Sequence, residues 1–196
     1  HANLDPAELA LQYQRGGASC LSVLTDTNHF SGSVADLQNA REASTIPVIR
    51  KDFTVDARDV CDARIMGADC VLLIAAVLTP AELSSFLELC REVDIDALVE
   101  VHDEAELDVA MRAGATMVGV NQRDLVTFAV DQARAVRMAP LIPKNVVKVA
   151  ESGVRGRDDA IALRAAGYDA ILVGEHLVTS SNPEAALTDL CIDNEA

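Results

Sequence analysis

Short apolar runs alternate with amphipathic stretches along the whole chain. The runs cover 20–25, 47–53, 70–77, 97–103, 117–124, 146–153 and 170–175. Their length, their Val, Ile and Leu content and their flanking glycines and prolines read as strands. The run Cys70-Val-Leu-Leu-Ile-Ala-Ala-Val77 is almost continuously apolar, the pattern of a strand covered on both faces. Apolar residues at helical spacing fall between the runs, predicting helices near 5–15, 33–43, 56–66, 79–93, 103–113, 131–138, 158–166 and 183–190. Asp5-Pro6 and Thr79-Pro80 look like N-caps followed by proline at the first helical position. Gly16-Gly17, Gly67, Gly114 and Gly167 stand where helices should end. Glycine there supplies a left-handed C-cap before the chain turns into the next strand.

Strict alternation of strand and helix means a parallel sheet with helices outside it. A doubly wound sheet and a (β/α)8 TIM barrel both fit. Polar residues at nearly every strand tip favour the barrel, whose active site draws on several strand ends. Seven βα units are visible and the chain opens on a helix, so the first of eight strands is expected to be absent from this chain. Residues 1–196 are expected to form one N-terminally incomplete barrel domain.

Half of the 196 residues are hydrophobic and only 3% are aromatic, so the core is expected to be Ala, Val, Leu and Ile. A net charge of −15 argues against nucleic acid or an anionic membrane as the main partner. No run is long and apolar enough to span a membrane. The start, His1-Ala-Asn-Leu-Asp-Pro6, lacks the basic-then-apolar pattern of a signal peptide. Cys20, Cys61, Cys70, Cys90 and Cys191 have no metal or redox spacing and are expected as buried, reduced thiols of a cytoplasmic protein. His29, His102 and His176 lack ligand spacing, and no metal is expected.

The candidate chemistry lies at the strand tips. Lys51 ends the run Pro47-Val-Ile-Arg-Lys-Asp-Phe53, and period-two alternation puts it on the face of Ile49 and Phe53. Glu100 interrupts the apolar run Ala97-Leu-Val-Glu-Val. A core-facing carboxylate there is either a buried salt-bridge partner or a general acid/base facing Lys51. Asn121 and Arg123 share one face by spacing. Arg123 could clamp a carboxylate or pair with Asp124 on the surface. Glu151 precedes Ser152-Gly153, and Gly174-Glu175 ends the last strand. In barrels these last two turns are the usual phosphate site. Phe30 is either an aromatic lid or a packed loop residue. His102, close in sequence to Glu100, either orients it or is a polar strand-end histidine with no such role.

Taken together, the segments Arg50-Lys-Asp-Phe53, Leu98-Val-Glu-Val-His-Asp103, Gly119-Val-Asn-Gln-Arg-Asp-Leu125, Ala150-Glu-Ser-Gly153 and Leu172-Val-Gly-Glu175 resemble the indole-3-glycerol phosphate synthase family over almost the whole chain. The resemblance implies a (β/α)8 lyase of tryptophan biosynthesis without cofactor or metal. That family closes the indole ring of 1-(2-carboxyphenylamino)-1-deoxyribulose 5-phosphate, with loss of carbon dioxide and water. It implies Lys51 as general acid for ring closure and Glu100 as acid/base group in dehydration. Asn121 would position substrate and Glu151 would complete the polar site. Phe30, Phe53, Leu72 and Leu125 would line the pocket for the aromatic ring, and Arg123 would hold charged groups in place. Ser152, Gly153, Gly174 and Glu175 would hold the phosphate, with the Glu175 carboxylate turned away.

The family's first strand, which carries a glutamate, a second lysine and a Ser-Pro-Ser segment, has no counterpart in this sequence. Little activity is therefore expected of these residues alone, with a missing segment or fused biosynthetic domain as partner. Two other readings stay open. One is another phosphate-binding barrel, such as an isomerase or an aldolase using Lys51 as a Schiff base. The other is a non-catalytic barrel remnant that binds a ligand or a partner chain.

Overall fold

The computed structural model describes residues 4–27, 31–124 and 127–192. Its elements alternate as the hydrophobic pattern requires. In chain order they are α1 (Pro6–Arg15), β1 (Leu21–Leu24), α2 (Val34–Ala43), β2 (Val48–Lys51), α3 (Ala57–Met66), β3 (Cys70–Ile74) and α4 (Pro80–Glu92). There follow β4 (Asp96–Val101), α5 (Glu104–Ala113), β5 (Met117–Asn121), α6 (Arg134–Met138), β6 (Val147–Glu151) and α7 (Arg157–Ala165). The last are β7 (Ala170–Leu172), α8 (Glu175–Val178) and α9 (Pro183–Leu190). The strands form one sheet in sequential order, every pairing parallel.

The helix ends use the expected devices. Asp5 accepts from the amides of Ala7 and Glu8 above a proline-led first turn, and Thr79 and Glu82 form a reciprocal capping box. Gly17, Gly67, Gly114 and Gly167 all have positive φ, the conformation that glycine enters without a Cβ penalty.

Both faces of the sheet are buried. Val48, Val71, Leu73, Val99, Val101, Val118, Val120 and Ala150 point outward to the helices. Ile49, Cys70, Leu72, Ile74, Leu98 and Val149 form a second cluster inside the curve of the sheet, with Phe53, Met117 and Leu172 packed on it. The split follows strand alternation.

The curvature follows from a single pair of contacts. Lys51 ends β2 and Glu151 ends β6, four strands away, yet Lys51 Nζ lies 3.2 Å from Glu151 Oε2. Four steps of about 4.8 Å in a flat sheet would hold those strands about 19 Å apart. Only a sheet curled into a barrel lets the two side chains meet. Outside, α1 meets α9: Arg15 Nε lies 2.8 Å from Glu184 Oε2, and a Cβ at Gly16 would stand 2.8 Å from the Glu184 carbonyl oxygen. Among the described residues β1 and β7 are not paired with each other. The fold is thus a (β/α)8-type barrel of which seven strands are described.

Several expectations need correction. The apolar run at 70–77 is strand only to Ile74, where a turn begins. The other strands are also shorter than their apolar runs, because the polar tips belong to the loops. The helix expected over 131–138 starts at Arg134 and continues into a 3-10 turn over Ala139–Leu141. The short helix α8 had no periodic signal. Cys70 and Cys90 are buried as expected, but Cys20 and Cys191 are exposed, and all five thiols are free. No described helix is long and apolar enough to cross a membrane.

Candidate active site

The site is assembled from strand positions that share the inner face: Lys51, Glu100 and Glu151 follow the inward Ile49, Leu98 and Val149 by two, and Asn121 follows Gly119 by two and the inward Met117 by four. Lys51 Nζ lies 3.2 Å from Glu100 Oε2 and 3.2 Å from Glu151 Oε2. The carboxylates are almost sealed, with side-chain exposures of 2% and 1%. Two buried acids facing one ammonium are the arrangement in which neither acid keeps its ordinary pKa.

Burial opposes ionisation of Glu100, but His102, Lys51 and Asn121 outweigh it and hold Glu100 below the usual carboxylate range. Burial raises Glu151; Lys51 counters that, while the charge on Glu100 adds to the rise. One carboxylate is therefore held charged and the other is held ready to carry a proton. Burial works against the charge on Lys51, yet Glu151 and Glu100 prevail and hold its pKa above the ordinary value.

Asn121 is fully engaged. Its Nδ2 donates to Glu100 Oε1 at 3.0 Å, and its Oδ1 accepts from the Arg123 amide at 3.0 Å. Its amide therefore fixes the orientation of Glu100. Of the two readings of Arg123, a clamp on a carboxylate or a surface pair with Asp124, the structure gives a carboxylate from another loop: Arg123 Nη2 lies 3.1 Å from Glu175 Oε2. The pair forms because the loop after β5 stands beside the loop after β7, a proximity the sequence does not state. It also occupies the Glu175 carboxylate with a cation.

The register Glu151↔Leu172 sets the turn after β6 beside the turn after β7. Ser152 and Gly153 both have positive φ, 65° and 73°, an unusual conformation for a serine. The turn is held by side-chain amides: Gln122 Nε2 donates to the Ser152 carbonyl at 2.8 Å, and Gln132 Nε2 to that of Gly153 at 2.6 Å. Gly174 caps the start of α8 with a negative φ, and a Cβ there would meet nothing. Neither space nor backbone conformation requires glycine at 174.

Leu72 and Phe53 lie at the inner apolar cluster, as a pocket wall requires. Phe30 and Leu125 lie outside the described residues.

Three groups were not singled out from sequence. Gly119 leaves room for the Glu151 carboxylate, and its only signal is a glycine amid the apolar residues of β5, a mark of close approach. Gln122 is 2% exposed and braces the Ser152 turn. Glu106, on the first turn of α5, accepts from the His102 amide at 2.7 Å.

A parallel barrel that gathers a lysine and two buried carboxylates at its strand ends defines a class: barrel enzymes equipped for acid–base chemistry. The family model for indole-3-glycerol phosphate synthase matches residues 1–190, and the chain belongs to that family, one of decarboxylating lyases in tryptophan biosynthesis. Indole-3-glycerol phosphate synthase of Mycolicibacterium smegmatis is 53% identical over 186 residues, covering 95% of this chain and 68% of its own. Those of Mycolicibacterium vanbaalenii and Mycobacterium avium are 52% and 51% identical over the same shares. Among solved structures, a thiamine phosphate pyrophosphorylase from Pyrococcus furiosus superposes with a TM-score of 0.74 at 16% identity, covering 94% of this chain and 86% of its own. An N-acetylmannosamine-6-phosphate 2-epimerase from Clostridium perfringens gives 0.70 at 12% identity, covering 87% and 78%. These two likenesses establish the fold alone.

Proposed function

We propose that the mouth of this barrel converts 1-(2-carboxyphenylamino)-1-deoxyribulose 5-phosphate to indole-3-glycerol phosphate, in the cytoplasm. The observation that carries the proposal is Lys51 held between Glu100 and Glu151 at the strand ends. Ring closure joins the aromatic carbon bearing the carboxylate to the ketone carbon. The ketone oxygen then gains a proton, which Lys51 donates. Loss of carbon dioxide restores the aromatic ring. Departure of the new hydroxyl as water needs a second acid and a base, and Glu100 fills the acid/base role with Glu151 beside it.

Asn121 keeps Glu100 aimed. Phe53 and Leu72, with Phe30 and Leu125, form the wall for the aromatic ring. Ser152, Gly153, Gly174 and the Glu175 amide take the phosphate. Arg123 holds the Glu175 carboxylate away from that anion. Two carboxylates that keep Lys51 charged also argue against an imine-forming role, which needs a free amine.

The test is conversion of this substrate by the protein as its organism makes it, beside residues 1–196 alone. Indole-3-glycerol phosphate and carbon dioxide in equal amounts are expected from the natural protein. The expectation of weak turnover by residues 1–196 is read in the same assay. No indole product from the natural protein, or borohydride trapping of substrate on Lys51, would overturn the proposal.

A further inference from the structure

His102 stands one residue past β4, with its side chain 11% exposed. Two carboxylates address its ring. Glu106 Oε2, on the first turn of α5, accepts from the His102 amide and lies 3.0 Å from Nδ1. Glu106 is itself placed by the cap of α5, since its amide donates to Asp103 Oδ1 at 2.8 Å. At the other end of the ring, Nε2 lies 3.3 Å from Glu100 Oε1, within ion-pair distance but without the alignment of a hydrogen bond, and it is buried with no hydrogen-bond partner.

This geometry fixes where protons must be. With Glu106 Oε2 as the acceptor 3.0 Å away, Nδ1 carries a hydrogen. If Nε2 were then bare and Glu100 ionised, a lone pair would face a carboxylate oxygen in a sealed site. That arrangement is repulsive and unhydrated. A proton therefore lies between His102 and Glu100, on one or the other. Asn121 donates to the same Glu100 oxygen, and Lys51 donates to the other one.

We infer that His102, clamped by Glu106, is a positioning residue that shares a proton with Glu100 and keeps it a carboxylate until substrate enters. The inference rests on the reading of Glu100 as the acid/base group. The ionisable groups around this corner are Glu100 on β4, Glu106 on α5, Lys51 on β2 and Glu151 on β6. Burial disfavours the imidazolium, but Glu100 and Glu106 outweigh burial and push His102 up to about 9.

The experiment is an NMR titration of the four histidine rings, with His102→Gln assigning the signal. His102 is expected to titrate well above 6.5, and to move down toward it in both Glu106→Gln and Glu100→Gln. The pH profile of kcat for Glu106→Gln should lose its alkaline limb at lower pH, with KM little changed. A wild-type His102 that titrates near 6.5, or one that ignores Glu100→Gln, overturns the inference. If the protein makes no indole product while His102 titrates high and responds to both variants, the proton pairing stands and the functional reading fails.

Discussion

The carboxylate of Glu151 occupies the space in which a side chain at Gly119 would begin. A Cβ there would overlap Glu151 Oε1 and press on Leu98 Cδ1 at 3.3 Å. The strand pairing aligns Gly119 with Val149 and Asn121 with Glu151, so the Glu151 side chain leans back over its neighbour strand.

Gly119→Ala should therefore fold but misplace the acid. The overlapped atom is the tip of a flexible side chain, so loss of stability should be modest, about 1–2 kcal/mol. Displacing Glu151 by about 1 Å is worth about 100-fold in rate. Thermal unfolding and kcat measured on the same preparation separate the two effects. A variant with unchanged kcat would mean that the position of Glu151 is immaterial.

Lys51 is the cation that Glu100 and Glu151 share, both of them sealed. Lys51→Met should destabilise the protein at pH 7 by about 3–5 kcal/mol, the scale for removing one partner of a buried ion pair. Without the ammonium, both folded-state carboxyl pKa values rise. The deficit should then shrink as pH falls and the acids take up protons. Adding Glu151→Gln to Lys51→Met should recover part of the loss at pH 7. Urea unfolding of the three proteins at pH 7 and pH 5 checks this.

His102 makes stability fall on the alkaline side. Its folded pKa is raised from 6.5 to about 9. Its stabilising contribution is complete below 6.5 and is lost as pH rises through about 9. The expected loss across that window is roughly 1–3 kcal/mol. In His102→Gln the slope between pH 6.5 and 9 should flatten. Glu100 has its pKa held low, so its contribution is present above its ordinary 4.5 and is lost only in stronger acid.

The Ser152-Gly153 turn offers a test of the phosphate subsite. Gly153 has φ 73°, and a Cβ there would lie 2.7 Å from Val130 Cγ1, on the residue that bridges to Arg123. Gly153→Ala adds left-handed strain of about 1–2 kcal/mol. Taken from binding, that is about a tenfold loss of affinity. KM should rise with kcat less affected, and inhibition by inorganic phosphate should weaken in parallel.

Much of this architecture was legible because it is local. Alternating apolar runs, proline-led caps and glycine exits mark each element within a few residues, and period-two spacing placed Lys51 with Ile49 and Phe53. Lys51, Glu100 and Glu151 stood out as polar residues at or within apolar strands. What could not be read depends on the curl of the sheet and on loops meeting across it. Arg123 finds its carboxylate on Glu175, 52 residues on, a partner that neither of its sequence readings named. Arg50, on the opposite strand face from Lys51, is buried against α3, donating to the Asp59 carbonyl and to Asp52, partners that spacing alone does not show. The turn after Ile74 is hidden because its residues are as apolar as the strand. The need for glycine at 119 depends on a side chain from the next strand, which periodicity cannot show.

The central claim is that Lys51 supplies the proton on which ring closure depends. Its most direct test is the rate of indole-3-glycerol phosphate formation by Lys51→Met, at a pH where circular dichroism finds the variant folded. Loss of one positioned general acid should lower kcat by about 10²–10⁴. A folded variant that forms product within a few-fold of the unchanged protein would contradict the account.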